Sequence, residues 1–165
     1  MTNLAQELRR YAAHGVVVDA NLLLLLLIGS FDRKQISRNK RLQTFSPEDF
    51  DLLVEVLKGF ARIVITPNIL TEVSNLSNAI AEPEKASYFV GMASVLTTLQ
   101  EEYVPSGRAL ANRWARFGLT DAAIAEIAKN QYLVLTDDLR LSHALQTDGI
   151  ATINFNQLRD VYHTS

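Results

Sequence analysis

Acidic residues follow several of the apolar runs in this sequence. One closes a run of three valines at 16–18, one follows an apolar run at 132–135, and two lie in the early turns of predicted helices. The carboxyl ends of parallel strands meet at one edge of a sheet, where helix N-termini also converge. We therefore expect four carboxylates to meet at that edge. They belong to Asp19, Glu72, Asp121 and Asp138.

Carboxylates that gather at one point favour the binding of a cation. Like charges a few Å apart repel by about a few kcal/mol per pair at an effective dielectric constant of about 20, and a divalent ion removes that cost. The chain has no cysteine, so oxygen ligands suited to Mg²⁺ or Mn²⁺ are the candidates. In a two-metal site one ion activates the attacking water while the other stabilises the leaving oxygen. The four acids are therefore candidate metal ligands and candidate catalytic residues.

Each acid also has a purely structural interpretation. Asp121 could complement a helix dipole, Glu72 could be a solvated residue at a helix edge, and Asp137-Asp138 could form a plain turn. Asp19 is harder to explain in this way, because it lies between valines and leucines with little solvent around it. The occurrence of acids in four separate elements at one end of the sheet favours a shared site.

Composition limits the class of protein. A chain of 165 residues with 48% apolar composition is long enough for one domain with one core, so we expect a single domain over residues 1–165. The net charge of −2 excludes a strongly basic nucleic-acid binder, and any such site must be a local basic patch. The longest apolar stretch has 13 residues, too few to span a bilayer, and no secretory signal precedes it. We expect a cytoplasmic protein.

The apolar pattern alternates between strands and helices. Apolar residues on successive positions, as at 16–18, are typical of strands covered on both faces. Further strands are expected at 62–65, 103–104, 132–135 and 150–153, with helices between them. This alternation predicts an α/β fold in three layers, α/β/α, with a central five-stranded parallel sheet.

Local signals predict several helix boundaries. Ser46-Pro47 and Thr66-Pro67 each combine a capping residue with a first-turn proline, and Thr120 is expected to cap the helix that follows it. One helix is expected to run over residues 106–117. Residues 30–46 are polar and basic, and they form an inserted loop or element.

Four short motifs occur in the order in which PIN-domain nucleases carry them, and they span about residues 16–155. They are a strand closing in Asp-x-Asn, a strand followed by Thr-Pro and then Glu-Val, an Asp opening an alanine-rich helix, and a strand closing in Thr-x-Asp. The chain therefore resembles the PIN-domain family, especially the VapC-type toxins of bacterial and archaeal toxin–antitoxin pairs. The matching segments are Val16-Val17-Val18-Asp19-Ala20-Asn21, Ile63-Val64-Ile65-Thr66-Pro67 with Glu72-Val73, Leu119-Thr120-Asp121-Ala122-Ala123-Ile124, and Leu133-Val134-Leu135-Thr136-Asp137-Asp138.

The resemblance implies both a fold and an activity. It implies a PIN-like sheet, four acids that bind Mg²⁺ or Mn²⁺, and endoribonuclease activity on RNA. By resemblance, Asn21 and Thr136 are supporting polar positions at the substrate. It also implies a homodimer and, for a toxin, a cognate antitoxin protein. The pair Asp137-Asp138 leaves the fourth ligand open, and we expect Asp137, the x position of Thr-x-Asp, to point away from the other acids.

Two basic segments are candidates for contacts with RNA. Arg33, Lys34, Arg38, Lys40 and Arg41 lie close together without an acid among them, and they could be a solvated loop or a grip on phosphates. A second acid-free set contains Arg108, Arg113 and Arg116 around Trp114, which we expect to be packed between helices rather than free to stack on a base.

Three other functions compete with the toxin. The same fold could serve as a nuclease without an antitoxin, in RNA processing or phage defence. It could also be a non-catalytic module that binds RNA or protein, although four intact acids count against that. A phosphoacceptor receiver domain also gathers acids at strand ends, but it needs a lysine after a later strand, and none follows Leu135.

Overall fold

The computed structural model describes residues 4–111 and 113–164, which form an α/β fold around one sheet. The strands are β1 (Val16–Val18), β2 (Ile63–Ile65), β3 (Gln100–Glu101), β4 (Leu133–Thr136) and β5 (Thr152–Asn154). The helices are α1 (Leu4–Tyr11), α2 (Ala20–Phe31), α3 (Lys34–Arg38), α4 (Pro47–Lys58), α5 (Pro67–Leu76), α6 (Glu84–Leu96), α7 (Ser106–Leu110), α8 (Leu119–Ala128), α9 (Leu139–Thr147) and α10 (Phe155–His163).

All five strands are parallel, in the order β3-β2-β1-β4-β5. The predicted α/β class and five-stranded parallel sheet, flanked by helices, are confirmed. The order differs from the 2-1-3-4-5 order of the flavodoxin-like sheets to which receiver domains belong. Topology therefore argues against the phosphoacceptor alternative.

The core lies on both faces of the central strands. The three valines of β1 are fully buried, and so are Leu22, Leu23, Leu24 and Leu25 of α2. A strand with no exposed face needs helices on both sides, which is why its sequence is continuously apolar rather than alternating. Within the described residues, no helix is long and apolar enough to cross a membrane.

Several predicted helix starts are confirmed. Ser46 caps α4 in a reciprocal capping box with Asp49, and Thr66 caps α5 through the Ile69 N–H at 3.2 Å. The prediction for Thr120 was wrong. Helix α8 already begins at Leu119, after Gly118 with a positive φ of 100°, a conformation that favours glycine.

The region around residue 100 also differs from the prediction. The third strand is Gln100–Glu101 and not 103–104, and Tyr103 is 75% exposed. The short polar strand forms because its backbone pairs with β2, Val64 opposite Gln100. The single helix expected at 106–117 is instead α7 and a 3₁₀ helix, Arg113–Phe117, while Asn112 lies outside the described residues.

The segment 30–46 is an element rather than a bare loop. Helix α2 extends through Phe31 into its first residues, and α3 and a 3₁₀ turn, Lys40–Leu42, follow. Ile36 and Leu42 are fully buried, so the insertion is anchored to the core and presents its basic residues outward.

Candidate active site

The acids lie at the point where the chain reverses the direction in which it adds strands to the sheet. From β1 the chain continues to β2 and β3 on one side and then crosses to β4 and β5 on the other. In open α/β sheets such a switch point leaves a crevice outside the carboxyl ends of the two adjacent strands, and ligands bind there. Asp19 follows β1, and Asp137 and Asp138 follow β4. The strand order thus supports a site at this edge independently of any motif.

Asp19 is held rigidly at the end of β1. Its carboxylate caps α2 by accepting the Leu22 N–H at 3.0 Å through Oδ1. Through Oδ2 it accepts the Asp137 N–H at 3.1 Å and the Thr136 hydroxyl. A carboxylate has about four acceptor sites, so these three donors leave about one for another ligand. The side chain is therefore oriented by its neighbours before any ligand binds.

Asp19 carries an unfavourable charge in this position. Burial raises its pKa to about 8, and the charge of Asp137 adds to the rise. Hydrogen bonds from Thr136 and from the Leu22 and Asp137 amides oppose the rise without cancelling it. Desolvation and a like charge both favour the protonated acid, whereas a bound cation would favour the ionised form. The environment of Asp19 suits a cation ligand better than a free carboxylate.

The structure brings both acids of the Asp137-Asp138 pair towards the cluster. Asp137 accepts a hydrogen bond from Asn21 Nδ2 at 3.3 Å, and its charge acts on Asp19. Burial raises the pKa of Asp137, and the charge of Asp138 contributes. The expectation that Asp137 points away was therefore wrong. It failed because the 19–21 and 136–138 turns adjoin each other, which the Thr-x-Asp pattern alone does not show.

Asp138 has a second role as the cap of α9. Its Oδ1 accepts the Leu141 N–H at 2.9 Å, while its own N–H is donated to Thr136 Oγ1 at 3.0 Å. The side chain is exposed, and its charge acts on Asp121. Asp138 is thus fixed at one oxygen by the helix and available at the other.

Asp121 and Glu72 complete the set from the other side. Asp121 lies in the first turn of α8, and α8 packs against α5, which carries the exposed Glu72. Burial raises the pKa of Asp121 to about 6. The charges of Asp138 and Glu72 add to this rise, and the charge of Arg140 opposes it. No described residue donates a hydrogen bond to the Asp121 carboxylate, so among the causes of its pKa shift only the charge of Arg140 offsets the repulsion.

The five acids are therefore coupled through their charges. Asp19 is coupled to Asp137, Asp137 to Asp138, and Asp138 and Glu72 to Asp121. Across the described ranges, no three His, Cys, Asp or Glu residues form a group already placed to hold a metal ion. The acids surround the crevice as pairs and do not form a closed cage. Their donor set consists of oxygens alone, which suits Mg²⁺ or Mn²⁺.

The two supporting polar residues have defined positions. The Thr136 hydroxyl donates to Asp19 and accepts the Asp138 N–H, so it ties the end of β1 to the start of α9. The exposed Asn21 holds the Asp137 carboxylate. Both residues orient acids of the cluster.

The sequence did not predict a hydrogen-bond network that links the turn after β4 to α10 and α4. Asn156 donates from Nδ2 to the Asp137 carbonyl at 3.2 Å, and Arg159 donates from Nη1 to Asn156 Oδ1 at 2.9 Å. Arg159 also donates from Nε to Asp49 at 2.9 Å and from Nη2 to the Thr44 carbonyl at 2.8 Å. One signal was available. Asn156 follows the last strand closely, much as Asn21 follows the first.

The basic residues of the insertion are arranged around its surface. Arg33 donates to Asp51 at 2.6 Å and to the Pro47 carbonyl at 3.2 Å, so its charge is already paired with a carboxylate. The segment begins one length of α2 away from Asp19, about 18 Å along the helix axis for 12 residues. The exposed members of this set are Arg33, Lys34, Arg38, Lys40 and Arg41.

The second basic set lies beside α8 and the C-terminal end of α9. Arg108 is paired with Glu126 at 3.0 Å, and Arg113 is paired with Asp148. Trp114 is only 6% exposed and packs on Phe117 with ring centroids 5.0 Å apart. The expectation that Trp114 packs inside rather than stacks on a base is confirmed.

No protein-family model matches the chain, and no curated protein matches it. The fold and the acid cluster therefore carry the functional argument.

Proposed function

We propose that this protein is a metal-dependent endoribonuclease that hydrolyses phosphodiester bonds at the crevice between β1 and β4. The observation that carries the proposal is the convergence of carboxylates from four elements at the switch point of a parallel sheet. The supporting candidates are Asp19, Glu72, Asp121 and Asp138, and we include Asp137 as a fifth acid because it lies beside Asp19.

The residues of the chain have separable roles in this proposal. Asp19 and Asp138 are the anchored ligands, because backbone N–H groups and Thr136 restrict their rotation. Asp121 and Glu72 would hold the ion from the opposite side. Mg²⁺ or Mn²⁺ bound by these acids would lower the pKa of an attacking water and stabilise the leaving oxygen. Asn21 orients Asp137 beside them.

The biological role follows from resemblance alone. The four motifs resemble those of VapC-type toxins, so we propose the toxin of a toxin–antitoxin pair, with a homodimer and an antitoxin as partners. The same chemistry would serve a nuclease without an antitoxin. A neighbouring gene for a small DNA-binding protein would favour the toxin, and its absence would favour the free-standing enzyme.

Cleavage of a labelled single-stranded RNA with and without metal tests the proposal. We expect products with Mn²⁺ or Mg²⁺ and none in EDTA. Asp121→Asn should reduce the rate about 100-fold or more, because even groups that only support a metal ligand are worth about 10–100-fold. Asp121 is the best position to change because no described hydrogen bond depends on its carboxylate, so folding should persist.

Asp160→Asn is the matched control. Asp160 is an exposed acid on α10 outside the cluster, so that variant should cleave at the wild-type rate. Undiminished cleavage in EDTA would exclude the metal mechanism. Equal activity of Asp121→Asn and wild type would show that the activity comes from a contaminant or from another site. RNA binding without any cleavage would leave the non-catalytic module as the function.

A further inference from the structure

Two arginines converge on one aromatic ring beside the acid cluster. The Cζ atom of Arg116 lies 5.1 Å from the centre of the Phe117 ring, and that of Arg140 lies 4.9 Å from it. The buried Trp114 packs against the same ring. Packing against Trp114 therefore restrains the Phe117 ring. The ring in turn attracts the two guanidinium groups by cation–π interaction. We call Arg116, Phe117 and Arg140 the arginine stack.

The arginines of the stack have no direct ion-pair partner among the described residues, although the charge of Arg140 also acts on Asp121. Neither Arg116 nor Arg140 forms an ion pair with any described residue, and both side chains are exposed. In contrast, Arg33, Arg108 and Arg113 each have a carboxylate partner. Two exposed cations that lie on one ring without an ion pair to a described residue, in a chain of net charge −2, form a local site for an anion.

The stack lies at the end of a cleft that leads away from the acids. The cleft, of about 250 Å³, separates the 3₁₀ helix Arg113–Phe117 from α9, whose His143 and Thr147 line it. Arg140 stands one helical turn before His143 on α9 and close enough to Asp121 for its charge to act there. From Arg140 to Thr147 the helix rises about 10 Å. A chain seated in the cleft would therefore reach the acids at its Arg140 end.

We propose that the arginine stack and this cleft bind a single-stranded nucleic acid and deliver its backbone to the acid cluster. This inference rests on the proposed nuclease function and names its substrate surface. Guanidinium groups bind phosphate oxygens in bidentate fashion, and their flat faces also stack on unpaired bases. The cleft is smaller than the roughly 300–1,000 Å³ of small-molecule sites, so it suits one unit of a longer strand.

Binding of a fluorescent 12-residue oligouridylate, measured by anisotropy in EDTA, tests the proposal without cleavage. Each phosphate contact to a single strand contributes about 0.7 to the slope of log affinity against log salt. Replacing both arginines, Arg116→Gln with Arg140→Gln, should therefore flatten the slope by about 1.4 and weaken binding roughly 25-fold at about 0.1 M salt. The lysine variants at both positions should recover the slope, because they keep the charge, while losing the affinity that stacking adds.

The matched control is Arg9→Gln with Arg10→Gln. It also removes two positive charges, and Arg10 lies over an aromatic ring, Tyr11, at 5.6 Å. Both arginines are exposed and belong to α1, which precedes β1. This variant should keep the wild-type slope. A second arm with oligodeoxyuridylate of equal length shows whether the surface distinguishes RNA from DNA.

The outcomes separate this inference from the proposed function. If the stack variant binds within about twofold of wild type, or if the control loses as much as the stack variant, the inference is wrong, whatever the cleavage assay shows. Failure of wild type to bind either oligonucleotide also overturns it. Stack-dependent binding by a protein that never cleaves RNA supports the surface and contradicts the nuclease. Melting temperatures within about 2 °C of wild type confirm that the variants are folded.

Discussion

Asp19 and Asp49 are both buried carboxylates that take part in helix capping, yet the charges next to them have opposite signs. Asp49 is fully buried at the start of α4, where it accepts the Ser46 N–H at 2.8 Å and the Arg159 Nε–H at 2.9 Å. Asp19 is 7% exposed at the start of α2, where it meets only neutral donors and the charge of Asp137. Among the residues that the structure describes, Asp49 has a cationic partner and Asp19 has none.

The difference separates a structural acid from a candidate functional one. A buried charge is tolerated when it is paired and hydrogen-bonded, and Asp49 meets both conditions with Arg159. Asp19, Asp121 and Asp137 keep raised pKa values because burial and their neighbours work against ionisation. Groups of this kind cluster at functional sites. A cation from solution would give the acids at the crevice the compensating positive charge that Arg159 gives to Asp49.

The largest change in stability is expected at Asp49. Asp49→Asn removes the charge that pairs with Arg159, whose side chain is only 24% exposed, so an unpaired guanidinium remains partly buried. Removing one partner of a buried pair costs about 3–5 kcal/mol, and the partial exposure of Arg159 favours the lower limit. The melting temperature should fall by about 6–12 °C at neutral pH. Thermal unfolding followed by circular dichroism measures the change.

Asp51, two residues further along α4, provides the control. It pairs with Arg33 at 2.6 Å, but both side chains are about half exposed, 51% and 50%. Exposed pairs contribute at most about 1 kcal/mol, so Asp51→Asn should melt within about 2–4 °C of wild type. Equal losses of melting temperature from the two substitutions would show that the buried Asp49–Arg159 pair stabilises the fold no more than an exposed pair does. Asp49 could then no longer serve as the example of a stabilising buried carboxylate against which Asp19 is compared.

A somewhat smaller shift is expected from metal binding to the acids. A ligand present at about 100 times its dissociation constant stabilises the native state by about 2.7 kcal/mol, or about 5–11 °C here. Added Mn²⁺ should therefore raise the melting temperature of wild type and of Asp160→Asn alike. The rise should shrink in Asp121→Asn and in Asp138→Asn, a change that keeps the α9 cap because asparagine caps as well as aspartate.

The same melting curves show whether Asp137 takes part. The structure turns Asp137 towards Asp19, so Asp137→Asn should also reduce the effect of Mn²⁺. A full manganese effect in Asp137→Asn together with its loss in Asp138→Asn would restore the ligand assignment predicted from sequence. A full effect in every variant would mean that the ion binds elsewhere.

The smallest effect is a pH dependence of the metal-free protein. The pKa of Asp121 in the folded state, about 6, lies above its ordinary value of 3.8, so the folded chain holds this proton more tightly than the unfolded one. Its contribution to stability is present below about pH 4 and is lost as the pH rises through about 6. In EDTA, Asp121→Asn should melt with wild type near pH 4. By pH 8 it should melt higher by about 2–4 °C, a relief of about 1 kcal/mol.

Asp160→Asn should show no such divergence between pH 4 and pH 8. If Asp121→Asn melted below wild type at pH 8, the carboxylate would be stabilised rather than repelled, and the contrast with Asp49 would disappear.

Much of the fold was predictable because its signals are local. The three valines of β1 predicted a strand covered on both faces, and all three are fully buried. Ser46 and Thr66 predicted helix starts because a capping side chain bonds to an amide only three residues away. The four acids were recognisable by their place after strands and in the early turns of helices. The sequence by itself determined the class of fold and named these acids.

Contacts between distant parts of the chain were decided only by the tertiary structure. Gln100–Glu101 is a strand because β2 offers its edge, although its own side chains are polar. Asp137 turns towards Asp19, 118 positions away, and Arg159 reaches Asp49 across 110. Arg140 of α9 and Phe117 of the 3₁₀ helix meet at the cleft between these two elements. Such pairings depend on strand order and helix packing, since the free energy of a long-range contact is gained only when the whole sheet has assembled.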